Sequence, residues 1–385
     1  MKTTRIALFV SSLIWASATL AHVHAHDSNV YVMSNAQEGN KIAVLKRSPE
    51  GRLSILGKYP TGGAGSGVGL TTPEDPLGSQ NALVLSRDNQ WLFAVNAGSN
   101  QVSAFRVQQD RLVLTGVANS GGRFPVSVAV KQNRIYVLNA GGEGNVTGFQ
   151  VGRNGSLTPI PGSTRSLHTP TTELGPQPDI LRTVAQAEFS PDGDYLVITD
   201  KKLDTKGSIK WFAYDDATGL LSRNPAVKAS PDPLPFGFTF DRKGRLFVTE
   251  AVGGTVSSYR FSDDGQLNML GRSVPNGQLT TCWIDGTNNY LYTSNTASNT
   301  LTGYSIERSG QLKLLNANGV AARLSDGHGP VDVKVSGDQA FLSVVNGRSG
   351  TVSSYRIEPS DGELVPADEI AVFPPLTGMV GLAAE

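Results

Sequence analysis

The sequence predicts an all-β protein, a seven-bladed β-propeller with four antiparallel strands in each blade. Three observations carry that prediction. First, one phrase occurs seven times: an apolar strand, a small polar loop, and a second strand ending in an aromatic residue or leucine. Second, the copies recur at about forty to fifty residues where no long insertion intervenes, 44 from Phe105 to Phe149 and 45 from Tyr259 to Tyr304. A period of that size marks a modular architecture. Third, turn-forming runs return at matching places, with SRDN at Ser86, SPDG at Ser190, DRKG at Asp241 and SGDQ at Ser336. Their Gly, Asp and Asn residues supply the positive φ and local hydrogen bonds of tight reversals.

The chain opens on a basic start, Lys2 and Arg5, then a short apolar stretch, Ile6–Leu20, interrupted by Ser11, Ser12 and Ser17. Small residues at Ala21 and Ala25 fit a cleavage site. Residues 1–25 are therefore expected to be a secretory signal peptide, and 26–385 a single propeller domain, secreted or periplasmic. No later apolar run approaches the roughly 20 residues that a membrane span needs.

The seven phrases follow in order as Tyr31–Arg47, Ala94–Val107, Tyr136–Val151, Leu196–Tyr214, Phe247–Phe261, Tyr292–Ile306 and Leu342–Ile357. The unit is plainest in the fourth copy. Val184–Phe189 is a first strand, Ser190–Gly193 a turn, Tyr195–Thr199 a second strand and Ser208–Tyr214 a third. A fourth strand opens at Leu220. The first copy begins at Asn29 directly with its second strand, and the tail Thr377–Glu385 reads as the missing first strand. Closing the ring with this C-terminal strand leaves no unpaired edge between the first and last blades.

Two insertions stretch the period to 60 and 63 residues, Thr61–Gly78 and Ser163–Arg182. Long insertions on a regular scaffold are expected to be functional loops.

Charge narrows the partners. With 33 basic and 33 acidic side chains, the chain lacks the basic excess of a nucleic-acid or membrane-surface binder. A small-molecule ligand or substrate is the expected partner, and a monomer the expected state. Cys282 is the one cysteine and is expected to be a buried small hydrophobe. His26, His168 and His328 have no ligand spacing, so neither a metal nor another cofactor is expected.

Topology places the candidate site. The loop after each second strand and the loop into each first strand share one face and crowd the central channel, the default binding place of this architecture. The residues ending the second strands are Asn35, Asn96, Asn139, Asp200, Glu250, Asn295 and Asn346. Asparagine there suits left-handed loop geometry. Asp200 and Glu250 break the pattern in adjacent blades, with Lys201, Lys202 and Asp204 alongside. Carboxylates among cations on a funnel rim suit general acid–base work, or form a solvated cluster of ion pairs. Arg123, Arg182, Gln186, Glu188, His328, Asp332 and Lys334 fall on the same funnel, as substrate-holding groups or as the lining of a wet channel.

The runs SPDGDYLVI (Ser190–Ile198), NAGSNQVSAF (Asn96–Phe105) and DGEL (Asp361–Leu364) resemble those of the lactonase-family seven-bladed propellers. That family includes bacterial 6-phosphogluconolactonase and the fungal 3-carboxymuconate lactonizing enzyme, and the resemblance spans Asn29 to Glu385. It implies lactone chemistry without a cofactor. Glu250 matches the family's glutamate. Gln186 stands in the run where the family has histidine, and Asp200–Asp204 keeps both aspartates of a family phrase but not its glycine.

The resulting expectation is an exported lactonase-like propeller that opens, or in reverse closes, a small anionic lactone. Glu250 and His328 would be catalytic, and Arg123, Arg182, Gln186, Asp200, Lys201 and Lys202 would bind substrate. The alternative is a non-catalytic periplasmic or extracellular propeller that binds a ligand or protein.

Overall fold

The computed structural model describes residues 26–385, and the expected signal segment lies outside the described residues. Alternating apolar strands pair into seven antiparallel sheets, each built on a path of four strands. The innermost strands are Leu382–Ala384 in blade 1, Leu83–Leu85 in blade 2, Pro125–Lys131 in blade 3 and Val184–Phe189 in blade 4. Pro235–Phe240, Thr281–Gly286 and Pro330–Val335 follow in blades 5, 6 and 7. Each packs against the next around the axis, which makes a closed ring.

Closure is as the sequence predicts. Leu382, Ala383 and Ala384 pair with Val32, Tyr31 and Val30 of the strand Ser28–Met33. Glu385 locks the seam: its carboxylate accepts from the Tyr31 hydroxyl at 2.5 Å and from the Asn29 backbone N–H at 3.2 Å.

The residue that ends each phrase fills the space between sheets. Leu45, Phe105, Phe149, Phe212, Tyr259, Tyr304 and Tyr355 are all buried. Burial of a side chain this large contributes on the order of 1.5–3 kcal/mol. The recurrent turns work as expected. In Ser190–Gly193 the Ser190 hydroxyl donates to Asp192 at 2.5 Å and accepts from the Tyr195 N–H at 3.0 Å, while Gly193 sits at φ +80°. Ser86 and Ser336 head the same arrangement.

Two features go beyond the sequence reading. In blades 3 to 6 the outer strand is broken, so that Leu157–Pro159 and Arg165–Ser166, for example, pair separately with Asn145–Val151. The innermost strands of blades 3 to 7 also each carry one extra residue near their start, seen as a register shift against the second strand. Such bulges turn side chains away from the regular alternation. Here they aim Gln186, Trp283 and Asp332 at neighbouring backbone.

Candidate functional site

The second-strand ends prove to be interior tethers. Asn295 donates to the hydroxyls of Thr300 (3.1 Å) and Thr302 (2.9 Å). Asn346 does the same to Thr351 (2.9 Å) and Ser353 (2.8 Å), and Asn96 to Ser103 (2.7 Å). These asparagines are fully buried and stitch the second strand to the third.

Asp200 and Glu250 occupy the same position with different chemistry. Asp200 is buried and paired with Lys210 at 2.9 Å, and it accepts from Thr169 at 3.0 Å. Glu250 is fully buried and accepts from the Thr255 hydroxyl at 2.7 Å. Burial pushes its carboxyl up to about 8, against the Ser257 and Thr255 hydroxyls. In its protonated form a carboxyl is both donor and acceptor, like the asparagine amide found at the equivalent strand ends. Expected on the funnel rim facing lysines, Glu250 instead lies inside blade 5, with Asp232 the charge that bears on it.

The funnel is covered rather than open. The insertion Thr61–Gly78 runs across its mouth. Ser66 bonds Asn35 of blade 1, Gly98 of blade 2 donates to Ala64, and Glu74 pairs with Arg348 of blade 7 at 2.9 Å. The second insertion braces it, the Gln177 amide donating to the carbonyls of Ser66 and Val68, each at 3.0 Å. Past the cover the chain enters the channel. Gln80 takes the Ala185 carbonyl of blade 4 through its N–H, and its amide reaches Phe238 of blade 5 and both the N–H and C=O of Ile284 in blade 6. A Cβ at Gly237 would collide with the Gln80 amide and with the Cys282 carbonyl of blade 6.

Beneath the cover lies a buried charged cluster. Lys201 is fully buried; its ammonium donates to the Gly78 carbonyl and lies 4.8 Å from the centre of the Phe236 ring. Burial pulls it down from the ordinary lysine range, with Asp75, Asp179 and Asp200 opposing. Asp75, on the insertion, is pushed up from the carboxylate range by burial, with Lys201 and the Gly78 N–H opposing. Cys282 abuts the pair, a buried thiol that desolvation holds well above its usual value. Asp75 was not among the sequence candidates. A signal existed: Glu74 and Asp75 are the only charges in an otherwise Gly-, Thr- and Ser-rich insertion.

The other expected residues are dispersed. Arg182 is held by Asp179 at 2.5 Å and by Asp204 at 2.7 and 3.0 Å, so its guanidinium is engaged. Arg123 is exposed and lies 3.5 Å from Glu173. Lys202 is half-buried beside Lys201 in the chain. Gln186 is a cross-brace, donating to the Phe238 carbonyl at 2.8 Å and accepting from its N–H at 2.7 Å. Its neighbour Glu188 also takes Asn81 at 3.1 Å, while Lys334 pairs with Asp285 at 3.3 Å. His328 is bonded to Glu369 of its own blade's outer strand at 2.8 Å. Lys201 is thus the one fully buried cation among the sequence candidates, with Asp75, Asp179 and Asp200 the carboxylates that bear on it. Among the described residues no group of three or more His, Cys, Asp or Glu is placed to hold a metal ion.

Comparison with known proteins agrees with this geometry at the level of fold. The family model described as "Lactonase, 7-bladed beta-propeller" matches residues 68–377. No curated protein matches the chain. Among solved structures, the periplasmic gluconolactonase PpgL of Pseudomonas aeruginosa superposes with a TM-score of 0.72 at 19% identity, covering 93% of this chain and 99% of that one. A provisionally named 6-phosphogluconolactonase of Bacteroides fragilis gives 0.73 at 19%, covering 93% and 98%. A Lactobacillus plantarum protein gives 0.70 at 18%, covering 93% and 99%.

Proposed function

This chain belongs to the lactonase family of seven-bladed β-propellers, and on that premise we propose that it hydrolyses a small lactone at the covered mouth of the channel. The observation that carries the reading is the buried pair of Asp75 and Lys201, a carboxyl raised and an ammonium lowered towards neutrality. Groups poised near the working pH are what acid–base catalysis requires.

In this scheme the Asp75 carboxylate takes a proton from water as the water oxygen bonds the lactone carbonyl carbon. The Lys201 ammonium, in a water-poor site, stabilises the oxyanion that forms. Collapse breaks the ring C–O bond, and Asp75 returns its proton to the leaving ring oxygen, giving a hydroxy acid. Arg123 and Arg182, expected to hold an anionic substrate, face carboxylates instead. The reading therefore takes Lys201 as the principal cation for substrate. The Thr61–Gly78 cover carries Asp75 and must shift to admit a substrate.

The reading also places the mature protein outside the cytoplasm, on the basic start and interrupted apolar stretch of residues 2–20. A non-catalytic binding propeller is the second reading, favoured by Gln80 filling the channel.

The test is a pH-stat assay of purified protein against aldonolactones, muconolactones and acyl-homoserine lactones. Turnover of one of them, lost in Asp75→Asn and Lys201→Met variants that still fold, supports hydrolysis. Absence of turnover by folded protein supports the binding module.

A further inference from the structure

On the face opposite the mouth, the turns of blades 2, 3 and 4 enclose a cavity of about 710 Å³. That volume falls within the roughly 300–1,000 Å³ of sites for small organic ligands. Its walls are Trp91 and Phe93 of blade 2, the Arg153 turn of blade 3, and Phe189 with the Ser190–Gly193 turn of blade 4.

Four cations line it, Arg87, Arg106, Lys131 and Arg153, against two carboxylates, Asp88 and Asp192. The carboxylates are consumed by their own turns. Asp88 accepts from the Ser86 hydroxyl at 2.6 Å and the Gln90 N–H at 3.1 Å, and these bonds, with the nearby Arg106 charge adding to them, hold it below the usual carboxylate range. Asp192 accepts from Ser190 at 2.5 Å and the Asp194 N–H at 3.1 Å. Lys131 is committed too, to the Gly193 carbonyl at 2.8 Å, to Asp216 at 3.4 Å and to the Tyr214 ring at 4.3 Å. The arginines are not so engaged. Among the described residues, Arg87, Arg106 and Arg153 make no ion pair. The Arg106 guanidinium sits over the Trp91 ring, its carbon 4.8 Å from the centroid, a cation–π contact that leaves its N–H groups without an ion-pair partner.

We propose that this basal cavity binds a small organic polyanion carrying two or more carboxylate or phosphate groups. Three guanidiniums from two blades, each a planar fork suited to an oxyanion, converge on one concave, aromatic-walled space with a lining charge in excess by two. The site is independent of lactone turnover at the mouth, since it lies at the other end of the strands.

Isothermal titration of the mature chain at low salt, with citrate and with pyrophosphate, tests this. Saturable binding of either, with a Kd below about 1 mM that weakens steeply with salt, is expected. Citrate alone would mark a carboxylate site, and pyrophosphate alone a phosphate site. Acetate should not saturate. The double variant Arg87→Gln, Arg153→Gln alters exposed turn residues, should keep the parent Tm, and should lose at least tenfold in affinity. Arg87→Lys with Arg153→Lys should recover part of it. No saturable binding of either anion, or binding that the double glutamine variant leaves intact, overturns the proposal.

Discussion

Glu250 and Asn295 hold the same place in neighbouring blades, each bonded to the threonine five residues on, Thr255 at 2.7 Å and Thr300 at 3.1 Å. The direction of the bond reverses: the carboxyl accepts where the amide donates. A strand end that is an amide elsewhere in the ring has become a titratable group without leaving the interior.

Stability should therefore depend on pH through Glu250. In the fold its carboxyl is pushed up to about 8 by burial, from an ordinary value of 4.5. The folded state then holds the proton more tightly, and the associated stability is fully present below about pH 4.5 and is lost as pH rises through 8. Glu250→Gln removes that loss. The variant should match the parent near pH 4 and exceed it at pH 9 by a few kcal/mol, at about 1.4 kcal/mol per unit of pKa shift. Urea melts at the two pH values measure it. Equal stability at both would mean that Glu250 is ionised in the fold.

Lactone turnover should survive that same change. If Glu250→Gln instead lowers kcat by two orders or more while the fold is kept, the acid–base role belongs to Glu250 and not to Asp75.

For the Asp75–Lys201 pair, the pH–rate profile should be a bell near neutrality. Its rising limb lies above the usual carboxylate range and its falling limb below the usual lysine range. Asp75→Asn should remove the rising limb and cost roughly 10²–10⁴ in kcat. A profile that keeps the limb would place the base elsewhere.

Ring closure can be cut. Removing Leu382–Glu385 strips the inner strand from blade 1 together with the Tyr31 and Asn29 contacts of Glu385. The inner edge of Ser28–Met33 is exposed, and several kcal/mol of stability should go with the lost strand. A truncated protein that melts like the parent would refute the seam as drawn.

Cys282 should resist thiol reagents in the native state, since it is buried and its thiol is held protonated by desolvation. Labelling at the rate of the unfolded chain would mean that the cover over Lys201 is open most of the time.

The blades were legible because their signals are local: a turn such as Ser190–Gly193 and the aromatic that closes each phrase are decided within a few residues. The bulges were not, since nothing in the sequence separates Gln186 from a regular strand residue; its partner is Phe238, in the next blade. Glu250 was legible as an exception but not in its meaning. Its meaning is set by hydroxyls at Thr255 and Ser257 on the next strand, which hold the carboxyl inside the blade. The clamp on Arg182 was not legible, because Asp204 sits 22 residues on across a loop. Asp75 stood out as a charge in its insertion, but not in its role, because its setting is made by Lys201 and Gly78 meeting across the channel mouth.

Gln80, lodged among the inner strands of blades 4, 5 and 6, turns the central tunnel into a blind alley. A bridge of this kind stands against passage from one face to the other and favours two separate ends to the ring. Whatever enters at the mouth must leave by the same door. In a catalyst of this shape the spent molecule obstructs the next, and the opening rate of the Thr61–Gly78 segment sets a ceiling on turnover that improved chemistry at Asp75 would not raise.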